Sequence, residues 1–189
     1  MATWVGSFAM DSAQHQEAPT QLLLTDDRIG LRPLVVSDTD AHLAGCDEVI
    51  VERLGGGEPS SRSQIAAWLE MNARAWAAGG DVVDLGIEEL TTGLLCGSVG
   101  IQRGLDYLSA GQVNLTYALY PQWRGYGYAT RAVELAMQVA QDGRPVEEFV
   151  IRAAPDNPDS IAVAERAGFK RAGQTSDAHG ELIWLTSRA

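Results

Sequence analysis

Between Asp81 and Gln141 the period of the apolar residues changes, and the change falls on one short turn. Asp81 to Glu89 alternates apolar and polar side chains, as a half-buried strand does. Leu94 to Ile101 reads as a second strand, reached through Thr91-Thr92-Gly93, and Gln112 to Tyr120 as a third. Three strands so joined make a β-meander. From Gly127 to Gln141 the apolar residues then fall at Ala129, Ala132, Val133, Ala136, Met137 and Ala140, the spacing of an amphipathic helix. A meander that feeds such a helix has to pack it on the sheet, which gives an α/β fold with a mixed sheet.

The flanking segments agree with that frame. Leu22 to Leu24 and Ile29 to Leu34 read as short strands around a turn at Asp26-Asp27. Ser37 is placed to cap a helix over the Asp-rich stretch that follows. Gly55-Gly56-Gly57 reads as a loop, and Ser61 opens a stronger helix, with Ile65, Trp68, Leu69, Asn72 and Trp76 at helical spacing. Gly79-Gly80 ends it. Glu148 to Ala153 is an apolar strand, Ser160 to Ala167 a short helix, and Phe169 to Thr186 two closing strands. No repeat or low-complexity linker is visible. The expected organisation is a loose arm over residues 1–20, polar from Asp11 to Thr20, and a single domain over 21–189, since 189 residues suffice for one buried core.

Charge bounds the partners. With 25 acidic and 14 basic residues the net charge is -11, which argues against nucleic acid. The acidity suits either plain solubility or a cationic partner such as a polyamine, an aminoglycoside-like amine or a basic peptide. Cys46 and Cys96 do not make a disulfide framework, and three His with scattered acids show no metal-ligand spacing, so reduced cysteines and no metal are expected. The first twenty residues lack Lys and Arg, and no run reaches the length of a membrane span. A cytoplasmic protein without membrane partners is therefore expected.

The chemistry lies in the turn itself. In Pro121-Gln122-Trp123-Arg124-Gly125-Tyr126-Gly127-Tyr128-Ala129 the two glycines permit a tight strand-to-helix turn whose N–H groups point one way. With the positive end of the following helix they form an anion site suited to a pyrophosphate, and Arg124 adds charge nearby. Taken alone, Gly-x-Gly fits an ordinary turn equally well. A dinucleotide fold competes poorly, because no third glycine follows and the turn succeeds an antiparallel meander.

Four segments, in order, resemble the GNAT superfamily of acyl-CoA N-acyltransferases, in particular its RimJ/RimL-like ribosomal-protein branch. They are Leu24-Thr25 with Arg28, Leu31-Arg32-Pro33-Leu34 and Asp38; Gly97-Ser98-Val99-Gly100-Ile101; Gln122-x-x-Gly125-x-Gly127-Tyr128-Ala129; and Asn157-x-x-Ser160 with Val163-Ala164-Glu165-Arg166-Ala167-Gly168-Phe169. The resemblance runs from about Leu22 to the C-terminus. It implies a central, mainly antiparallel sheet that splays at a coenzyme A cleft and is flanked by helices. It further implies acetyl transfer from acetyl-CoA to an amine by direct attack. A bulged strand at Tyr117, Ala118 and Leu119 would bond the pantetheine arm. Arg124, Gly125, Tyr126, Gly127, Tyr128, Ala129 and Thr130 would hold the pyrophosphate. Asn157 and Ser160 would meet the arm or the departing sulfur, although Asn157-Pro158 is also a good helix start in its own right.

The departures from the family pattern matter as much. Asn114 stands where many relatives carry a Glu, and an amide is no general base. Asn114 is therefore read as orienting the substrate, with Ser160 as the second catalytic candidate. Ala164 stands where many members use a Tyr as general acid. Arg131 replaces a common Glu and fits either a solvated helix face or a phosphate site. Asp106, Glu88 and His179 are the substitute bases considered. Trp68 and Trp76 fit core packing or a platform for a cationic amine. Three functions stay open: an acetyltransferase for a small amine or antibiotic-like molecule, one for protein N-termini, and a non-catalytic acyl-CoA-binding module. A homodimer is left open too.

Overall fold

A computed structural model of the chain describes residues 21–54, 57–177 and 180–189. The expected arm at residues 1–20, Gly55-Gly56 and the candidate base His179 lie outside the described residues.

One eight-stranded sheet runs β1-β2-β3-β4-β5-β6-β8-β7. The strands are β1 (Leu24–Thr25), β2 (Ile29–Pro33), β3 (Val82–Glu89), β4 (Leu94–Gln102), β5 (Gln112–Leu119), β6 (Glu148–Ala153), β7 (Lys170–Asp177) and β8 (Gly180–Arg188). Every pair is antiparallel except β5–β6. The meander is therefore β3–β4–β5. The helices are α1 (Thr39–Gly45), α2 (Glu48–Leu54), α3 (Arg62–Ala77), α4 (Tyr128–Gln141) and α5 (Pro158–Arg166).

The period of each strand decides which layer it supports. Leu85, Val99, Ile101, Val113 and Leu115 point to one face and bury against Ala132, Val133 and Ala136 of α4, with Ile161 and Ala164 of α5 in the same core. On the opposite face Leu34, Leu95 and Tyr120 meet Ile65 and Leu69 of α3. Each buried Leu or Ile contributes about 1.5–3 kcal/mol, so this two-sided burial holds both helical layers. Ser61 starts α3 as its sequence suggests: its Oγ accepts from Gln64 N, and the Gln64 side chain accepts from Ser61 N.

Two expectations need correction here. Ser37 does not cap a helix; it sits within a short 3₁₀ helix, Val36–Asp38. The stretch after it is not one helix, because Cys46 turns extended and α2 begins anew at Glu48. There the Asp47 carboxylate accepts from Ile50 N at 3.0 Å.

The sheet opens at one place. β5 and β6 pair only over Gln112–Asn114 and Glu148–Val150. Past this point β6 stays bonded to β8 as far as Ala153, while β5 stays bonded to β4 as far as Leu119. The two strands part, and the β5 edge from Leu115 to Leu119 faces a cleft. The expected bulge in β5 is absent: its register with β4 runs unbroken from Gly97↔Leu119 to Gln102↔Asn114. The β3–β4 register shifts instead, between Ile87 and Glu88, where Cys96 of β4 is the extra residue.

Candidate active site

Tyr117, Ala118 and Leu119 lie on the β5 edge that faces the cleft. An edge of this kind presents backbone N–H and C=O groups in a row, ready to bond an extended arm as an added strand would. The chain then passes through a short 3₁₀ helix, Pro121–Trp123, into Arg124–Gly127 and the first turn of α4, with Tyr128, Ala129 and Thr130. Gly125 and Gly127 have φ of 83° and 80°, and a Cβ at either would meet no protein atom. Glycine is therefore required by the left-handed backbone, while the space beside both residues stays open. No side chain caps α4. Its first N–H groups are thus left for another acceptor, at the positive end of the helix.

Neither arginine reads as a spare charge for that site. Arg124 makes a bidentate pair with Asp47, at 2.7 and 3.0 Å, and its Nε donates to Leu119 O at 2.9 Å. It clamps the loop to the start of α2, and its guanidinium holds the Asp47 carboxyl below the usual carboxylate range. Arg131 bonds Asp26, at 2.7 Å, and Asp27 in the turn between β1 and β2.

At the α5 end of the cleft the structure joins residues that the sequence could only propose separately. Asn157 caps α5, accepting from Ser160 N at 3.1 Å. Ser160 Oγ donates to the Tyr117 hydroxyl at 3.0 Å, and that hydroxyl donates to Ser160 O at 2.7 Å. Tyr117 thus reaches from β5 to the first turn of α5, and burial pushes its pKa up to about 12. Ala164, at the position of the family's tyrosine, is fully buried.

The opposite face of β5 backs onto a cavity of 370 Å³ beneath α1, α2 and α3. Asp84, Ser98, Gln102, Thr116, Ala118 and Tyr120 line its sheet side. Asp84 of β3 lies in register with Gly100 of β4, and Gly100 with Thr116 of β5. A Cβ on Gly100 would fall 2.4 Å from Thr116 Oγ1 and 2.6 Å from Asp84 Oδ1. The glycine lets both side chains lean over β4 toward each other. Burial pushes the Asp84 carboxyl up to about 6. Its backbone is fixed from α3: Asn72 Nδ2 donates to Asp84 O, and Asp84 N donates to Asn72 Oδ1, both at 2.7 Å. Pairing of β2 with β3 ends at Pro33↔Leu85, so the Asn72 amide takes the place of the missing strand.

The bases considered from the sequence are placed elsewhere. Glu88 accepts from Arg32 Nε at 2.7 Å and belongs to a buried ion cluster. Asp106 is exposed in the β4–β5 connection and does not line the cavity. Asn114 is buried behind Gln102, to whose Oε1 its Nδ2 donates at 2.8 Å; its Oδ1 has no partner among the described residues. The bond occupies Gln102 Oε1, and Gln102 itself lines the cavity. Trp76 packs against the main core, whereas Trp68 lines the cavity. His42 bonds Tyr120 Oη at 2.9 Å and lies 3.4 Å from Cys46 Sγ. Burial depresses the imidazole and raises the thiol, so this pair is neutral and forms no thiolate nucleophile. Asp84 is what the sequence reading missed. Its only signal was an acid in mid-strand between Val83 and Leu85.

Among the described residues no group of three or more His, Cys, Asp or Glu is placed to hold a metal ion. No helix among them is long and apolar enough to cross a membrane.

Solved structures share this architecture. A GNAT-family acetyltransferase from Bacillus anthracis matches with a TM-score of 0.74 at 14% identity, over 89% of this chain and 97% of that one. The microcin C7 self-immunity acetyltransferase MccE, solved with acetyl-CoA and AMP, matches at 0.74 and 17% identity, over 87% and 94%. The RimL ribosomal-protein acetyltransferase, solved with coenzyme A, matches at 0.76 and 16% identity, over 89% and 98%. At such identities the likeness speaks for the fold. Among curated protein sequences no match is found. Residues 28–170 match the family model described as an acetyltransferase (GNAT) domain, and on that match, over a sheet opened at the β5–β6 cleft, the chain belongs to the GNAT acetyltransferase family.

Proposed function

We propose that the protein is an N-acetyltransferase that moves the acetyl group of acetyl-CoA to an amine by direct attack. The observation that carries this reading is the shared strand. The free edge of β5 lines the cleft, and Thr116 and Ala118 of the same segment line the cavity that holds Asp84. A thioester laid along the edge and an amine in the cavity would meet there, which is the positioning such a reaction needs most.

The open loop and the start of α4 would hold the pyrophosphate, and the β5 edge the pantetheine arm. Asp84, largely ionised at neutral pH, would take the proton from the ammonium. The amine nitrogen then forms the C–N bond as the C–S bond breaks, and its second proton passes to solvent. The departing sulfur would take a proton from the Ser160–Tyr117 hydroxyl pair, which would regain one from solvent. This gives chemistry to the α5 end of the cleft although Ala164 has none. The acceptor classes are a small cationic amine, antibiotic-like molecules included, and a protein N-terminus. The alternative of a non-catalytic acyl-CoA-binding module rested on Asn114 and Ala164, and a half-buried ionisable carboxyl in the cavity weighs against it.

The test is coenzyme A release over a panel of amines and short basic peptides, run beside a thermal scan with acetyl-CoA. Binding to the native state alone should stabilise by about 2.7 kcal/mol at a hundredfold excess over Kd. Stabilisation without release from any acceptor would favour the non-catalytic module.

Gly127→Val should abolish that stabilisation. Valine at φ 80° costs about 1–3 kcal/mol in backbone strain, and its branches would enter the space beside the helix start. A variant that folds and is stabilised by acetyl-CoA as the parent is would remove the loop from the coenzyme site.

A further inference from the structure

We infer that the acceptor is a small monoamine carrying its single cationic nitrogen on an apolar aryl or alkyl body, and not a polyamine, an aminoglycoside or a peptide. This rests on the acetyltransferase reading and narrows it.

The cavity is polar along the sheet and, on its other side, at His42, Glu58, Ser60 and Gln64, with an apolar wall between. Its helical walls are Leu43, Ile50, Val51, Leu54, Ile65 and Trp68. Among the described residues only two carboxylates line it, Asp84 on the sheet and Glu58 beyond α2, and no Lys or Arg does. Among the described residues His42 and Cys46 are the other titratable groups on the helical side, and burial lowers the His42 pKa and so favours its neutral form. One ammonium therefore has a charged partner beside the reacting centre. Glu58 is solvent-exposed, so a second or third ammonium within the cavity would lie against aliphatic side chains, and burying an unpaired charge there is costly. The apolar part of a monoamine loses nothing in the same place; it gains by leaving water and can lie against the Trp68 ring. Leu43 and Leu54 remain 40% and 54% exposed, so the apolar surface continues outward from the wall. At 370 Å³ the cavity is at the small end of ligand sites, which span about 300–1,000 Å³. The net charge of -11 is thus not concentrated where an acceptor would be read.

The experiment measures kcat/KM by coenzyme A release for 2-phenylethylamine, tryptamine and hexylamine against spermidine, kanamycin and a short peptide with an apolar N-terminal residue. The expected result is a preference of about 100-fold or more for a monoamine. Trp68→Ala should raise KM for 2-phenylethylamine about tenfold or more while acetyl-CoA still stabilises the protein. Val51→Asp, on a half-buried wall position, should shift the preference toward spermidine and would report even if Trp68→Ala did not fold. Spermidine, kanamycin or the peptide exceeding every monoamine overturns the inference while leaving acetyl transfer intact. If no acceptor turns over, the acetyltransferase reading fails, and calorimetric binding decides the inference on its own. Tighter binding of 2-phenylethylamine than of spermidine, lost in Trp68→Ala, sustains it. Absent or reversed binding overturns it.

Discussion

Asp84→Asn should lower kcat/KM by about 10²–10⁴-fold and, at pH 7, make the protein more stable. Both effects come from the same burial. The carboxyl is pushed from its ordinary 3.8 to about 6 because the folded protein withdraws it from water without giving it a cation. A raised carboxyl has the opposite linkage to the usual salt-bridged one. Between about pH 4 and 6 the unfolded chain has ionised at this position and the folded one has not, so stability falls as pH rises through that window. Above the folded pKa the full penalty is present, on the order of 2–3 kcal/mol. Asparagine keeps the shape and removes the ionisation, so urea unfolding should show parent and variant converging near pH 4 and separating toward pH 7. The parent's kcat/KM should fall on the acid side of a limb near 6, and the variant should lose that limb. A variant with parental kcat/KM would remove Asp84 from the reaction, whatever its stability.

What the sequence could show of this site follows from how local each part is. The Gly125-x-Gly127 turn and the helix after it are set within nine residues by backbone conformation and apolar spacing, and the loop lies where those features put it. Asn157 and Ser160 were legible for the same reason, since a cap and its N–H are three residues apart. Asp84 was not, because its importance depends on lying opposite Gly100, and Gly100 opposite Thr116, through registers made by two hairpins. The arginines fail in a related way. A charge is visible in sequence, but partners 77 and 105 residues away, Asp47 for Arg124 and Asp26 for Arg131, are not. Position in a family pattern located Asn114 on its strand without showing that its amide meets Gln102.

The second large effect belongs to the support of the cavity. Arg32→Met should destabilise the protein by about 3–5 kcal/mol. Arg32 is 7% exposed and faces two acids: its Nη1 and Nη2 bond Asp38 at 2.8 Å each, and its Nε bonds Glu88 at 2.7 Å. Burial works against its charge, but the two carboxylates outweigh this and hold its pKa above the ordinary value. Methionine fills similar space and leaves both acids without their cation. Asp38 also accepts from Val35 N at 2.9 Å and stands at the start of α1, the helix that brings His42, Leu43 and Cys46 to the cavity. The loss should therefore reach catalysis through the acceptor and not the coenzyme: KM for the amine should rise, while stabilisation by acetyl-CoA persists in whatever fraction remains folded. The cost lies mostly in the stranded charges, not in the lost bonds. Adding Asp38→Asn and Glu88→Gln to Arg32→Met should accordingly recover a large part of it in urea unfolding. A single variant within about 0.5 kcal/mol of the parent, the range of ordinary surface changes, would show that the cluster does not anchor α1, and a triple variant no more stable than the single one would show that the stranded charges were not the cause.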